Sequence, residues 1–422
     1  MLNEKLIAVS IFILVYLYLI VSKRSKALVV WGGVVILFLF KVLDLNSVFK
    51  LINWNVLGIF AGTLILADYF IYSKAPVLIA DFLINHSKTV GGAFIWICVM
   101  TSLLSAFVEN VATVLIIAPI ALECSRKFNV TPVPFIVGIA VSSNLQGTAT
   151  LVGDPPSMIF GSYMNMNFND FFWYNGKPSI FFAVQFGAIF SFLVLYLFFR
   201  KFKQPSVKME QVKVISWVPS YMILGLILIL SLSLVFKIDF NWFGVICMIF
   251  GIMGLLWGFL RDYNLSIDVL KRYDWDTTFF LAGIFVIIGV LSNVSAIEDL
   301  KNFLIKITGK SLFGSYTLIV WMSVLFSAFI DNVPYITAMI PVAQKMGDAL
   351  GGTPYLLVFG LLIGACLGGN VTPIGASANI VGIGILRKEG YKISFMEFVK
   401  IGLPFTIAAT LSSYFFLWFV WK

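Results

Sequence analysis

Two similar stretches decide the fold: SAFVENVAT at residues 105–113 and SAFIDNVPY at residues 327–335. Five of their nine residues are identical, and each stretch places an acid–asparagine pair inside apolar sequence. The 222-residue offset between them continues without a gap, and aligns residues 145–153 with residues 367–375. An ungapped match over such a distance predicts an internal duplication.

Composition places the duplicated chain in a membrane. Hydrophobic residues make up 60% of its 422 residues and charged residues 12%, against about 25% charged residues in an average soluble protein. We therefore expect a multi-pass protein of the cell membrane, surrounded by lipid. Its +9 net charge indicates cationic cytoplasmic loops rather than nucleic-acid binding. With the N-terminus outside, 19 of the 29 Lys and Arg residues fall inside, and Lys26 and Arg272 are counted among these loop cations.

Apolar runs define an all-α polytopic architecture of about ten transmembrane helices. The regular spans are predicted at residues 6–21, 27–43, 54–72, 179–199, 217–236, 242–260, 275–291 and 398–421. The remaining apolar stretches are predicted as re-entrant hairpins at 90–124 and 313–350 and as broken helices at 132–163 and 354–387. Each repeat, 1–216 and 217–422, then has an odd number of crossings. The two repeats are therefore predicted to be inverted relative to each other.

Three acids lie within apolar sequence. Glu109 and Asp331 occupy the predicted hairpin tips, and Asp154 lies inside the first helix break. An acid at the bilayer centre costs about 2.5–3.5 kcal/mol unless it is solvated, paired or protonated. The tips and breaks contain no Lys or Arg, so we expect these acids to hold a cation or a proton.

The two breaks supply the other candidate ligands. SSNLQGTATLVGDPP at 142–156 and GGNVTPIGASAN at 368–379 cannot continue as regular helices because of their glycines and prolines. Irregular backbone at membrane depth offers carbonyl oxygens to cations and helix N-termini to anions. The polar side chains placed there are Asn144, Thr148, Thr150, Asn370, Thr372, Ser377 and Asn379.

Two further residues are assigned structural roles. Asp68 has no counterpart in the second repeat and is expected at the cytoplasmic interface. Cys366, which matches Asn144, is expected to be a packing residue rather than a ligand for a soft metalloid. The sequence contains neither a P-loop nor an HExxH motif, so we expect a protein that is not an enzyme and has no bound cofactor.

Four segments resemble the ion transporter superfamily: SAFVENVATVLIIAPIAL, GTATLVGDPPSMI, SAFIDNVPYITAMIPV and GGNVTPIGASANIVGIGI. This group contains arsenite permeases of the ArsB type, sodium/proton antiporters of the NhaD type, the P protein and citrate-type carriers. The likeness runs from about residue 54 to the C-terminus, and its GDPP and GASAN motifs are most similar to the P protein branch.

The resemblance implies an elevator-type secondary transporter that forms a homodimer. It also implies ion and ligand contacts from residues at the tips and breaks, with Na⁺ or H⁺ as coupling ion. These are Asn110 and Asn332 at the tips and Asn144, Thr148, Asn370 and Thr372 at the breaks, with Na⁺ at the four asparagines. Arsenite permeases of this type can also work with a separate ATPase subunit.

The expected function is proton- or sodium-coupled efflux of a small inorganic ion, foremost arsenite. Sodium/proton antiport is the alternative, with Glu109, Asp154 and Asp331 alternating between Na⁺ and H⁺. Dicarboxylate carriers of the superfamily have Ser-Asn-Thr at their tips, so the acids at residues 109 and 331 argue against a dicarboxylate substrate. An anion channel is the remaining rival. The lack of cations near the site argues against a charged oxyanion, an objection that neutral arsenous acid escapes.

Overall fold

The computed structural model describes residues 2–21, 25–206, 212–351 and 354–422. These residues form twenty α-helices, two short 3₁₀-helices at Phe168–Phe171 and Phe240–Trp242, and one small antiparallel pair, β1 (Trp173–Tyr174) with β2 (Lys177–Pro178). The first ten helices are α1 Leu2–Val21, α2 Lys26–Leu39, α3 Leu45–Leu51, α4 Trp54–Ser73, α5 Ala75–Asn85, α6 Val90–Ser105, α7 Asn110–Lys127, α8 Val133–Gly147, α9 Pro155–Met164 and α10 Ile180–Phe199. The second ten are α11 Val218–Ser231, α12 Phe243–Arg261, α13 Tyr263–Arg272, α14 Trp275–Asn293, α15 Ala296–Thr308, α16 Leu312–Ser327, α17 Asn332–Ala349, α18 Tyr355–Gly368, α19 Ser377–Lys388 and α20 Phe395–Trp421.

Several helices are suited to a bilayer. By length and composition, five helical segments of the described chain can cross it, at Trp54–Ser73, Ile180–Phe199, Phe240–Arg261, Trp275–Asn293 and Phe395–Trp421. The bent pair α15–α16, with an angle of 116° between its helices, is a sixth candidate. Many large apolar side chains face outward on these helices, as expected where lipid replaces water. The expectation of an all-α polytopic membrane protein is confirmed.

Helix boundaries recur at the offset found in the sequence. Helices α6 and α16 begin at Val90 and Leu312, and α7 and α17 begin at Asn110 and Asn332, in both cases 222 positions apart. The boundary between the predicted repeats falls in the segment before α11. The inverted orientation of the repeats stays a prediction.

Four irregular segments carry the candidate site. Tip 1 (residues 106–109) joins α6 to α7, and tip 2 (residues 328–331) joins α16 to α17. Break 1 (residues 148–154) separates α8 from α9, and break 2 (residues 369–376) separates α18 from α19. These segments lie within the stretches predicted as hairpins and broken helices.

Four helices have no counterpart among the predicted spans: α3, α5, α13 and α15. Hydropathy over a membrane-length window detects long apolar runs, whereas these helices have 7 to 13 residues. Polar residues are frequent in α13 and α15, whose sequences are YNLSIDVLKR and AIEDLKNFLIKIT. They connect the spans and place charged residues near them.

Glycine permits the closest helix contact near the site. A Cβ at Gly62 of α4 would lie 2.1 Å from the carbonyl oxygen of Cys247 in α12. A Cβ at Gly58 would lie 2.9 Å from the backbone of Gly244. These two helices therefore pack backbone against backbone.

Candidate ion-binding site

Tip 1 and break 1 form a group of converging carbonyl oxygens. The Thr150 hydroxyl donates to the carbonyl oxygen of Ala106 and so ties the break to the tip. A Cβ at Gly153 would lie 2.6 Å from the carbonyl oxygen of Gly147, 2.9 Å from that of Ser105 and 3.1 Å from that of Ala106. We name this arrangement cradle 1. Three carbonyl oxygens therefore pack tightly around the Cα of Gly153.

Tip 2 and break 2 repeat this arrangement. The Thr372 hydroxyl donates to the carbonyl oxygen of Ala328. A Cβ at Gly375 would lie 2.7 Å from the carbonyl oxygen of Gly369 and 2.9 Å from those of Ala328 and Ser327. We name this arrangement cradle 2. Each cradle therefore requires glycine at the same aligned position, because a side chain there would collide with backbone oxygen.

Buried asparagines link the two halves of the chain. Asn144 Nδ2 donates to Asn370 Oδ1 at 2.9 Å and to Asn379 Oδ1 at 3.0 Å. Asn144 Oδ1 accepts from Asn110 Nδ2 at 3.4 Å, and Asn110 Oδ1 accepts from the Ser105 hydroxyl at 2.5 Å. Asn144 thus joins the start of α7 in the first half to break 2 in the second.

Break 2 is held internally by the same network. Asn379 Nδ2 donates to the carbonyl oxygens of Gly369 and Thr372, both at 2.9 Å. Asn370 Nδ2 donates to the carbonyl oxygen of Val141 at 3.2 Å. Because buried amides without partners are costly, these contacts fix the conformation of the break.

A cavity of about 150 Å³ lies between the tips, the breaks and helices α2, α4 and α14. Drug-sized ligands use about 300–1,000 Å³, so this cavity is suited to a small ion or molecule. Five acids and two cations line it in the part of the chain that the structure describes: Asp68, Glu109, Asp154, Asp274 and Asp331, with Lys26 and Arg272. Its ionisable groups are therefore predominantly acidic.

The tip acids also begin helices. Glu109 Oε2 accepts the backbone N–H of Ala112 at 2.9 Å, and Asp331 Oδ1 accepts that of Val333 at 3.2 Å. A carboxylate at a helix N-terminus is stabilised by the helix dipole. Asp154 precedes α9 without a capping bond of its side chain, and is 6% exposed. Its carboxyl group lines the cavity, where it interacts with the side chains of Asn110 and Asn332.

The predicted site residues divide into two groups. Those that line the cavity are Glu109, Asn110, Asn144, Asp154, Asp331, Asn332 and Ser377. Those that hold the tips and breaks in place behind it are Thr148, Thr150, Asn370, Thr372 and Asn379. An Na⁺ at Asn370, one of the four positions implied by the resemblance, would therefore lie behind the cavity surface.

The expectation that no cation lies near the acids was wrong. Lys26, counted as a loop cation, forms an ion pair with Asp331 across 305 positions of sequence. Arg272, counted in the same way, lines the cavity with it. Both cations lie at helix ends outside the tips and breaks, so inspection of those segments could not reveal them.

Asp68 is also placed differently from its expectation. It lies in α4 and lines the cavity together with Asp274 and Thr277 of the second half. Sequence reasoning missed Asp274 and Thr277, which belong to the α14 N-terminus, where Asp274 accepts the Thr277 backbone N–H at 2.9 Å. The Asp-x-x-Thr spacing was a capping signal, but nothing in it indicated a cavity.

The arrangement of His, Cys, Asp and Glu side chains in the described part of the chain is unlike that of a transition-metal site. Within residues 2–21, 25–206, 212–351 and 354–422, no group of three or more His, Cys, Asp or Glu side chains is positioned to hold a metal ion. Cys366 is fully buried and does not belong to the cavity lining. The oxygen donors among the side chains that line the cavity are mainly amides and carboxyls, which suit a hard cation.

Residues 16–362 match the family of citrate transporters designated CitMHS. The chain belongs to this family. The resemblance to the ion transporter superfamily is thereby confirmed, and so is a multi-pass location in the membrane. The protein is a transporter by family.

Three similar proteins each align with most of this chain. An uncharacterized transporter of Mycobacterium tuberculosis is 27% identical over 434 residues, covering 98% of this chain and 97% of the relative. The human P protein is 27% identical over 450 residues, covering 87% of this chain and 53% of the P protein. The solved YdaH transporter of Alcanivorax borkumensis shares the fold with a TM-score of 0.56 at 16% identity, covering 86% of this chain and 84% of that one.

Proposed function

We propose that this transporter exchanges a small hard cation, Na⁺ in the first instance, for protons. The observation that carries the proposal is the charge of the cavity, where five acids face two cations. A transported anion such as citrate would meet a predominantly negative surface. A transported cation would meet carboxyl and amide oxygens, the ligands that hard cations prefer.

The side chains that line the cavity also support a cation as the transported species. Glu109 and Asp331 end the two tips, and Asn110, Asn144 and Asn332 add amide oxygens beside them. Oxygen ligands replace part of the hydration shell of an alkali cation. A site that combines amide oxygens with carboxylates can hold either Na⁺ or a proton, which is the requirement for exchange.

The membrane potential supplies sufficient energy. A potential of 100 mV is worth about 2.3 kcal/mol for each charge moved. This corresponds to roughly a 50-fold concentration ratio for each coupled charge. Exchange of unequal numbers of Na⁺ and H⁺ therefore does not require ATP hydrolysis.

Export of neutral arsenous acid is the second candidate. The amide groups of Asn110, Asn144 and Asn332 line the cavity, and they can exchange hydrogen bonds with a small polyhydroxy acid. A neutral substrate is not repelled by the carboxyl groups. A separate ATPase subunit would be expected as a partner only if the protein exports arsenite.

We further propose an elevator mechanism in a homodimer. The tips and breaks would move together, because Asn144 joins the first half to break 2 by direct hydrogen bonds. Helices α1, α2, α4 and α14 would belong to the static part. The cavity would lie at the boundary between the moving and the static part, since both contribute to its lining.

Proton flux in proteoliposomes tests the function. The purified protein is reconstituted with a pH-sensitive dye inside, and Na⁺, Li⁺ or arsenite is added outside in turn. We expect Na⁺ to drive proton efflux and the Asp154→Asn variant to lose at least about tenfold in rate, because it removes a buried acid of the cavity. A response to arsenite alone would favour the second candidate over Na⁺/H⁺ exchange. Unitary currents in a bilayer recording would show that the protein is a channel and not a carrier.

A further inference from the structure

We propose that Lys26 is a tethered competitor of the transported cation. Its ammonium group would form an ion pair with Asp331 while the transported cation is absent, and this ion pair would break when a cation or a proton binds to Asp331. The inference rests on the proposed function, because it assigns a regulator to the same acidic cavity. Lys26 would therefore set the cation concentration at which the transporter responds.

The position of Lys26 is fixed by helix α14. The Ser25 hydroxyl donates to the carboxylate of Asp276, and the backbone N–H groups of Lys26 and Ala27 donate to it at 3.0 Å and 3.1 Å. Asp276 thus holds the first turn of α2. The backbone of Lys26 is anchored in front of the cavity, and only its flexible side chain has to move.

The side chain of Lys26 reaches tip 2 along a defined path. Its Nζ lies 5.9 Å from the centroid of the Phe280 ring and forms an ion pair with Asp331. The two side chains are 37% and 23% exposed, so the pair faces the cavity rather than the protein interior. A nearby hydrogen bond from the Tyr16 hydroxyl to the carbonyl oxygen of Pro334 joins α1 to the start of α17.

The charges around Asp331 explain why a competitor is useful. Asp154 and Asp274 line the same cavity as Asp331, and Asp276 accepts a hydrogen bond from the backbone N–H of Lys26. Without a cation, carboxylates gathered around one small cavity would repel one another. The ammonium supplies a positive charge beside Asp331 while no cation is bound, and an entering cation can take that place when the flexible side chain moves away.

Tip 1 has no equivalent of this device. Glu109 has no ion-pair partner in the part of the chain that the structure describes. Competition is therefore confined to tip 2. One tip of the cavity would be open to the cation and the other would be guarded.

Cation binding to the purified, full-length protein tests the inference. The measurement is the rise in melting temperature with Na⁺ concentration, which gives the half-saturating concentration. We expect Lys26→Gln to lower that concentration about tenfold, because the competing charge is removed. Lys26→Arg should raise it, because a guanidinium can bind a carboxylate with two parallel hydrogen bonds.

The matched control is Lys5→Gln. Lys5 also forms an ion pair across the fold, with Asp299, but neither residue lines the cavity. We expect this variant to bind Na⁺ with the half-saturating concentration of the unaltered protein. A shift equal to that of Lys26→Gln would show that any lost ammonium has the same effect, and would overturn the inference.

Failure of the inference and failure of the proposed function give different results. If the unaltered protein responds to Na⁺ and Lys26→Gln has an equal or higher half-saturating concentration, Lys26 is not a competitor. If the unaltered protein responds to neither Na⁺ nor Li⁺, the cation function itself is wrong and the inference falls with it. If Lys26→Gln does not fold, Lys26→Arg decides, since an unchanged or lower half-saturating concentration would overturn the inference.

Discussion

The two tips have nearly the same backbone contacts but different charges around them. In each, an acid begins a helix and a threonine of the adjacent break donates to the tip carbonyl. Among the described residues, the acid of tip 2, Asp331, has an ion-pair partner, Lys26, and the acid of tip 1 has none. The two cradles therefore match in their backbone contacts, and residues outside the similar motifs make their surroundings unequal. Asp331 is therefore ion-paired at the cavity, whereas Glu109 has no such partner among the described residues.

The largest effect is expected from Asp331→Asn. The substitution removes a carboxylate ligand. It also leaves the Lys26 ammonium unpaired at the cavity, where this positive charge repels an entering cation. We expect Na⁺-driven proton flux in proteoliposomes to fall at least about 100-fold. Adding Lys26→Gln to this variant should recover part of the flux, because it removes the repelling charge.

Glu109→Gln is the matched control for that rescue. Glu109 has no ion-pair partner among the described residues, so its substitution leaves no unpaired cation behind. We expect a smaller loss of flux, about tenfold, that Lys26→Gln does not relieve. Equal rescue of both variants would contradict the assignment of Lys26 to tip 2.

A second comparison concerns the aligned positions Asn144 and Cys366. Asn144 bonds directly to Asn370 and Asn379, whereas Cys366 is a buried residue of the hydrophobic core whose thiol contacts the hydroxyl of Thr148. We expect Asn144→Ala to lower flux about tenfold and to lower the melting temperature, because it leaves buried amides without partners. Cys366→Ala should retain flux within about twofold, as expected for loss of a small packing side chain. Similar losses in both variants would show that the link between the halves is unimportant.

The smallest effects are expected where the tips are alike. Thr150→Val and Thr372→Val each remove one buried hydroxyl that donates to the carbonyl oxygen of Ala106 or Ala328. Each lost bond should cost about 1 kcal/mol of stability, and the two variants should have melting temperatures that agree within a few degrees. A marked difference between the two melting temperatures would indicate that the two cradles contribute unequally to stability although their geometry is similar.

Local pattern predicted the parts of this structure that depend on neighbouring residues. Apolar runs identified the spans, and glycine and proline identified the breaks, because both act on the backbone near them. Acid–asparagine pairs inside apolar sequence identified the tips. Cavity-lining positions at Glu109, Asp154 and Asp331 followed from the cost of an acid in hydrocarbon.

Contacts between distant elements could not be predicted in this way. The pair of Lys26 with Asp331 depends on how α2 packs against α14, and the pair of Asn144 with Asn379 depends on how the halves meet. Asp68 was assigned to an interface because its position within α4 gave no information on what α4 faces. The short helix α13 ends at Arg272, and its approach to the cavity is likewise a property of packing.

Carbodiimide labelling of the reconstituted protein, mapped by mass spectrometry of its peptides, tests the inequality of the tips most directly. A hydrophobic carbodiimide reacts with carboxyl groups in apolar surroundings, and an ion pair or a bound cation shields them. We expect the carbodiimide to label Glu109 in the unaltered protein and Na⁺ to suppress this labelling. Asp331 should be labelled only in the Lys26→Gln variant. Equal labelling of Glu109 and Asp331 in the unaltered protein, unaffected by Na⁺, would contradict the assignment of Lys26 to Asp331.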